Sequence, residues 1–262
     1  MTDDTPSAPG DLFDVEGRTV VVTGATSGIG RMIAGGFVGA GAEVIVTSRK
    51  ADAVEATVAE LSSVGTCSGT TSNLSTEGGC RDFASWVAER HDGLDVLVNN
   101  AGATWGAPLA EQDTASWSRV LDLNLAGVFH VTRFLLPLLE AAGTAEDPAR
   151  IINVGSTNGL KPPPMETYAY TASKAAVHQM SRHLAGHLGP EITVNALAPG
   201  PFPSKMMAGT LEAFGEQIAG SLPMQRVGRA DDIAGAAIFL ASRAGAFVTG
   251  AVIPVDGGSA CV

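Results

Sequence analysis

Thr19-Val20-Val21-Val22-Thr23-Gly24-Ala25-Thr26-Ser27-Gly28-Ile29-Gly30 is the stretch that decides the fold. The β-branched run 19–23 reads as a strand buried on both faces, because Val and Thr suit a pleated surface and no polar alternation interrupts them. The glycines that follow let the backbone turn sharply and approach a ligand closely. Met32, Ile33, Phe37 and Val38 then recur at helical spacing. Strand, glycine loop and helix in this order make a phosphate site. The first amides of a helix lack internal partners, and its dipole presents positive charge there. Gly24, Thr26, Ser27, Gly28, Ile29 and Gly30 are therefore expected to line a dinucleotide.

Downstream, Glu43-Val44-Ile45-Val46-Thr47 is a second strand, ending in Ser48-Arg49-Lys50. An acidic residue at this position would grip a ribose 2′-OH, and here there is none. Ser48 offers a hydroxyl and Arg49 a guanidinium that pairs with a 2′-phosphate, which favours NADP(H) over NAD(H). Helices are expected at 52–62, 77–90, 114–142, 165–188 and 231–242, and strands at 67–71, 94–98, 150–155, 191–196 and 251–255. Strands alternate with helices without a break. That pattern predicts one α/β domain over 16–262, with a parallel sheet of about seven strands and helices on both faces. Residues 1–15 read as a flexible tail. Residues 205–222 lack a clean period and read as a mobile apolar lid.

The chain has 262 residues, 45 % of them hydrophobic, with 32 glycines, a composition for a packed core and many tight turns. A formal net charge of -11 argues against nonspecific nucleic acid or anionic membrane as partners. No uninterrupted apolar run approaches the ~18 residues of a membrane span. Cys67, Cys80 and Cys261 show no Cys-x-x-Cys spacing, no metal-ligand pattern is present, and the start Met1-Thr2-Asp3-Asp4 is acidic. Free thiols, no metal and a cytoplasmic location are the expectation.

The chemistry centres on Tyr170 and Lys174, four residues apart and so on one helix face. A cation ~4 Å from the phenol contributes on the order of 4 kcal/mol at an effective dielectric of ~20, roughly three pKa units from the usual ~10. Ser156 stands at the end of the strand just upstream. Asn124 lies inside the long helix, where asparagine is mildly unfavourable without a role. Asn99-Asn100-Ala101-Gly102 closes the fourth strand, at the end where open α/β sheets bind ligands.

Together these motifs resemble the short-chain dehydrogenase/reductase family of the Thr-Gly-x-x-x-Gly-x-Gly type. The matches are Thr23-Gly24 through Gly28-Ile29-Gly30, Asn99 to Gly102, Asn124, Ser156, Tyr170-x-x-x-Lys174 and Pro199-Gly200. The resemblance implies a Rossmann-type doubly wound fold and a catalytic quartet of Asn124, Ser156, Tyr170 and Lys174. In that scheme Tyr170 is the acid, Lys174 lowers its pKa and holds the nicotinamide ribose, Ser156 bonds the substrate oxygen, and Asn124 holds a water. It further implies cofactor contacts from Asn73, Leu74, Asn100, Ala101, Gly102, Tyr170, Lys174, Pro199, Gly200, Phe202 and Ser204. Asn73 stands where an aspartate is common, and Ser204 where a threonine is. Pairing of the two long helices in a homotetramer or dimer is also implied. More narrowly, Thr104-Trp105-Gly106-Ala107, Tyr168-Ala169-Tyr170 and Pro199 to Met206 resemble the NADPH-dependent β-ketoacyl reductases of rhamnolipid-producing bacteria.

The expected activity is interconversion of a carbonyl and a secondary alcohol, with a β-ketoacyl (3-oxoacyl) thioester among the substrates. Sugar-acid or general carbonyl substrates stay open. So does a scaffold that binds nucleotide without turnover, although such a protein would be expected to lose part of the quartet. Trp105, Asn158, Leu160, Phe202 and the 205–222 segment would set the substrate.

Overall fold

A computed structural model of the chain describes residues 8–261. Seven strands form one parallel sheet: β1 (Thr19–Thr23), β2 (Glu43–Ser48), β3 (Cys67–Thr71), β4 (Val96–Asn99), β5 (Ala149–Val154), β6 (Ile192–Pro199) and β7 (Val252–Val255), in the order β3-β2-β1-β4-β5-β6-β7. The helices are α1 (Pro9–Leu12), α2 (Gly28–Gly39), α3 (Ala51–Ser62), α4 (Glu77–Ala88), α5 (Thr114–Leu121), α6 (Val128–Ala142), α7 (Tyr168–Leu188), α8 (Ala208–Ser221) and α9 (Ala230–Ala241). The strand order reverses between β1 and β4, whose Val20–Val22 pair with Val96–Val98, and a crevice opens at such a switch point beyond the strands' C-terminal ends.

Alternation along β1 explains the two layers. Val20 and Val22 point into a core with Ile33 and Phe37 of α2 and Ile233 and Leu240 of α9. Val21 points the other way, into a core with Phe83 of α4 and Val131 and Leu135 of α6. Each such buried valine contributes about 1.5–3 kcal/mol relative to exposure. A uniformly apolar strand is thus what a sheet covered on both faces requires.

The structure departs from the sequence reading in three stretches. Residues 1–7 of the expected flexible tail lie outside the described residues. From residue 8 on, the chain is already packed: α1 forms a turn of helix, Phe13 lies 6.5 Å from the Phe239 ring, and Val15 is 1 % exposed. Two apolar side chains supply the contact that composition alone concealed. The long apolar helix does span 114–142, but Asp122–Gly127 within it is a π-helical segment carrying Asn124, and α6 continues past Pro137 to Ala142. By length and composition this helix could cross a bilayer, although Val131, Leu135 and Leu139 pack in the sheet's core and Val120 is buried as well. Finally, the aperiodic stretch 205–222 contains α8, a helix broken at Phe214 (φ -136°, ψ 16°) that buries none of its residues. With no face to bury, it has no reason to show a clean apolar period.

Candidate active site

The glycine loop is braced from β4. The Thr23 hydroxyl accepts from the amides of Asn100 (2.9 Å) and Ala101 (3.0 Å), and Asn100 Nδ2 donates to the carbonyls of Thr23 (2.8 Å) and Gly24 (3.1 Å). The Asn100 side-chain amide nitrogen therefore shapes the loop. Gly24 and Gly28 both adopt positive φ (65° and 56°). A Cβ on Gly24 would lie 2.8 Å from Ala101 Cα, and one on Gly28 would lie 2.9 Å from Ser204 Cβ, so both positions demand glycine. Ser27 precedes α2 without capping it through its side chain, which leaves the first amides of the helix open to an anion. A cradle that any side chain would fill, at an uncapped helix start, fits the pyrophosphate of a dinucleotide.

Ser48 ends β2 half-buried, and Arg49 beside it is exposed and in no ion pair among the described residues, whereas Arg31 is tied to Glu60 at 2.6 Å. Asn73 is exposed beyond β3. Its Oδ1 is taken by the Ser75 hydroxyl (2.8 Å) and amide (3.3 Å), so only its Nδ2 is left to face a ligand. Leu74 is buried in the core on the α4 side. Pro199 closes β6, and a Cβ on Gly200 would come 2.8 Å from Asp256 Cα. Ser204 sits against Gly28, its hydroxyl accepting from the Met207 amide at 3.2 Å.

Phe202 is a correction. It was expected at the cofactor and among the substrate determinants, but its side chain is 2 % exposed and its ring lies where a Cβ on Gly228 would have to go. An aromatic ring gains more from the core than from a polar crevice, and the Phe202 ring is spent on the core. Trp105 is not a core residue: it is exposed, with the Arg119 guanidinium 4.4 Å from its ring. Leu160 is exposed as well.

The residues expected to transfer the proton stand on α7 and at the end of β5. The Ser156 hydroxyl accepts from the Asn158 amide at 3.1 Å and faces the Tyr170 phenol, which is half-buried. Lys174 is 5 % exposed; its Nζ donates to the Val154 carbonyl at 2.7 Å and lies 5.6 Å from the centre of the Tyr170 ring. Burial pushes the lysine down to about 8. The tyrosine is pushed above its usual value by burial, and Ser156 offsets this only in part. The expected lowering by Lys174 is absent, since the ammonium is committed to Val154 and stands off the phenol. Helical spacing put the two residues on one face but did not specify where the lysine's long stem would end.

Asn124 is fully engaged. Its Oδ1 accepts from the Ala103 amide (2.8 Å), and its Nδ2 donates to the Ala103 carbonyl (2.9 Å) and the Ser173 hydroxyl (3.0 Å). Ser173 in turn donates to the Tyr170 carbonyl at 2.7 Å. The asparagine thus ties the loop after β4 to the helix of Tyr170. A Cβ on Gly102 would lie 3.4 Å from Asn124 Oδ1 and 3.7 Å from Lys174 Nζ, so Gly102 borders the space between them. Ser173 and Arg119 escaped the sequence reading. Ser173 adjoins Lys174 and was visible as a polar residue on the buried side of the helix, while nothing local marks Arg119 as a partner for Trp105.

A family model described as enoyl-(acyl carrier protein) reductase matches residues 24–260. The rhamnolipids biosynthesis 3-oxoacyl-[acyl-carrier-protein] reductase of Pseudomonas aeruginosa is 46 % identical over 250 residues, 94 % of this chain and 97 % of that protein. The galactitol 2-dehydrogenase (L-tagatose-forming) of Cereibacter sphaeroides is 36 % identical over 252 residues, 94 % of this chain and 96 % of that one. Among solved structures, the active-site complex of Pseudomonas aeruginosa RhlG with NADP superposes with a TM-score of 0.92 at 45 % identity, covering 95 % of this chain and 99 % of that chain. With a braced glycine loop, a Ser–Tyr pair at the end of β5 and relatives matched over nearly their full length, the chain belongs to the short-chain dehydrogenase/reductase family of oxidoreductases.

Proposed function

We propose that this chain is an NADP(H)-dependent reductase of 3-oxoacyl thioesters, working between a carbonyl and a secondary alcohol. The observation that carries the reading is that Ser156, at the end of β5, faces the half-buried Tyr170 of α7, in a chain whose glycine-lined helix start is uncapped. Gly24, Thr26, Ser27, Gly28, Ile29 and Gly30 would hold the pyrophosphate, Ser48 and Arg49 the 2′-phosphate, Asn73 and Leu74 the adenine side, and Ala101, Gly102, Pro199, Gly200 and Ser204 the nicotinamide side. The cofactor, when bound, supplies the hydride. Tyr170 donates its phenolic proton to the substrate oxygen as negative charge develops there, and the Ser156 hydroxyl bonds the same oxygen. A neutral phenol is what this step needs, and burial keeps Tyr170 protonated. Lys174 places a buried cation one turn away, and Asn124 keeps the loop that borders them in place.

An acyl chain is favoured over a polyol by the site's rim. Trp105 and Leu109 after β4, Leu160 and Met165 after β5, and Met206 and Phe214 after β6 are all exposed large apolar side chains. That is a surface for hydrocarbon rather than for hydroxyls. The test is a panel of acetoacetyl and longer 3-oxoacyl thioesters, sugar acids and galactitol, read by NADPH absorbance. Turnover rising with acyl length and faster with NADPH than NADH is expected, with the cofactor preference lost in Arg49→Asp. Turnover of sugars alone would overturn the acyl assignment. Only a third of the most apolar stretch of Thr114–Ala142 is buried, and Phe129 on α6 is exposed, which supports a homodimer or homotetramer through this helix. Cys67, Cys80 and Cys261 are free thiols, in keeping with a cytoplasmic location.

A further inference from the structure

His178 is a buried titratable group that the proton-transfer scheme leaves unused. It stands one turn beyond Lys174 on α7 and is 2 % exposed. Its ring lies between the two glycines that flank Ser156: a Cβ on Gly159 would come 2.8 Å from Cε1, and one on Gly155 would overlap the ring. Nε2 accepts the backbone N–H of Ser156 at 3.4 Å. A ring nitrogen accepts only when it carries no proton, so the imidazole is neutral with its proton on Nδ1. Nδ1 itself is buried without a hydrogen-bond partner of good geometry. The charged groups that face the ring are Lys174 and Arg182 of the same helix, while Gly155, Ser156 and Gly159 bring none. Burial first, then those two cations, push the imidazole down to about 4, with the Gly159 backbone opposing weakly.

Lys174 holds the Val154 carbonyl at 2.7 Å and His178 holds the Ser156 amide, so α7 grips the strand end at two points on either side of Gly155. The helix that carries the acid thereby also fixes the backbone that carries its serine partner. We propose that His178 is a positioning residue: as an acceptor for the Ser156 amide it sets the Ser156 backbone so that the hydroxyl stays facing the Tyr170 phenol, and it acts through Ser156 alone. This rests on the carbonyl-reductase reading above.

The test compares His178→Leu, which keeps bulk but has no acceptor, with His178→Gln, whose amide oxygen can replace Nε2. Each is measured alone and in a Ser156→Ala background, with acetoacetyl-coenzyme A and NADPH. His178→Leu is expected to lower kcat about ten- to a hundredfold at unchanged NADPH Kd, since a misplacement of the order of an ångström at a reacting group costs that much. His178→Gln should recover most of the loss, and His178→Leu should cost nothing further once the serine hydroxyl is gone. An equal loss with and without that hydroxyl would overturn the positioning role. A Ser156→Ala variant with full activity would instead overturn the catalytic reading beneath it. Independently of any variant's folding, ¹⁵N NMR of the wild-type protein should show His178 as the neutral Nδ1–H tautomer from pH 8 down to pH 5, and titration near 6.5 would remove it as an acceptor.

Discussion

Two helices that follow the C-terminal ends of neighbouring strands, α7 after β5 and α8 after β6, are built on opposite plans. On α7 the polar residues Ser173, Lys174, His178 and Ser181 are all buried, and each has a partner: Tyr170 and Asn124, Val154, Ser156, and Asn153 with Val177. On α8 no residue is buried, the helix breaks at Phe214, and the excursion is held at its base, where the Gly228 amide donates to the Pro201 carbonyl at 2.9 Å and Phe202 packs on Gly228. A buried polar network is costly when incomplete and rigid when satisfied, which suits groups that must hold a proton at one place. An element with little buried surface opens and re-closes at small cost, which suits a face that admits substrate. On the proposed reading, catalysis falls to the buried network and selectivity to the uncovered helix.

The largest effect should come from the rigid side. Tyr170→Phe removes one hydroxyl, and kcat is expected to fall by at least about 10²-fold, the share of a general acid, with NADPH binding by fluorescence and the thermal midpoint nearly unchanged. Retention of more than a few per cent of activity would break the assignment of proton transfer to α7. Lys174→Met should also abolish turnover but sharpen the contrast by stabilising the fold. The ammonium's usual value of 10.5 falls to about 8 on burial, so below pH 8 its desolvation cost is present in full. That cost is on the order of 3 kcal/mol by the linkage of shift to stability, offset by about 1–3 kcal/mol for stranding the Val154 carbonyl. A net gain of roughly 1 kcal/mol at pH 7 is expected in urea melts. It should fade as pH rises from 8 to 10.5, where the wild type sheds the penalty. An unchanged or lower stability at pH 7 would mean that the hydrogen bond outweighs the burial. The smallest effect belongs to α8: Phe214→Ala should alter stability by no more than about 0.5 kcal/mol. Its consequence should be confined to KM for long acyl chains, leaving kcat for a short thioester alone. A fall in kcat for the short substrate would show that the two sides are not independent.

Much of this is legible in the residues alone. The valine run of β1, the glycines after it and the helical period behind them dictated a parallel sheet and a phosphate loop, because a strand apolar on both faces has few other homes. Tyr170 and Lys174 were legible by spacing, and Ser156 by its place at a strand end. Phe202 was misplaced since nothing in Pro201-Phe202-Pro203 shows that Gly228, distant in sequence, vacates the room its ring fills. His178 follows Lys174 at the same helical interval as Lys174 follows Tyr170, yet a lone histidine at that spacing is more often an ordinary core residue, and only the contact with the Ser156 amide distinguishes it.

The sequence by itself determined the order and type of the elements, the glycine positions, the cation after β2 and the candidates proposed for proton transfer, because these depend on local periodicity and on residue chemistry. Only the tertiary structure decided where the Lys174 ammonium ends, which side chains Asn100 and Asn124 spend on the backbone, and that α8 is left uncovered. Those outcomes depend on which distant backbone groups come within hydrogen-bond reach, and a free amide or carbonyl leaves no trace in the residue that will meet it.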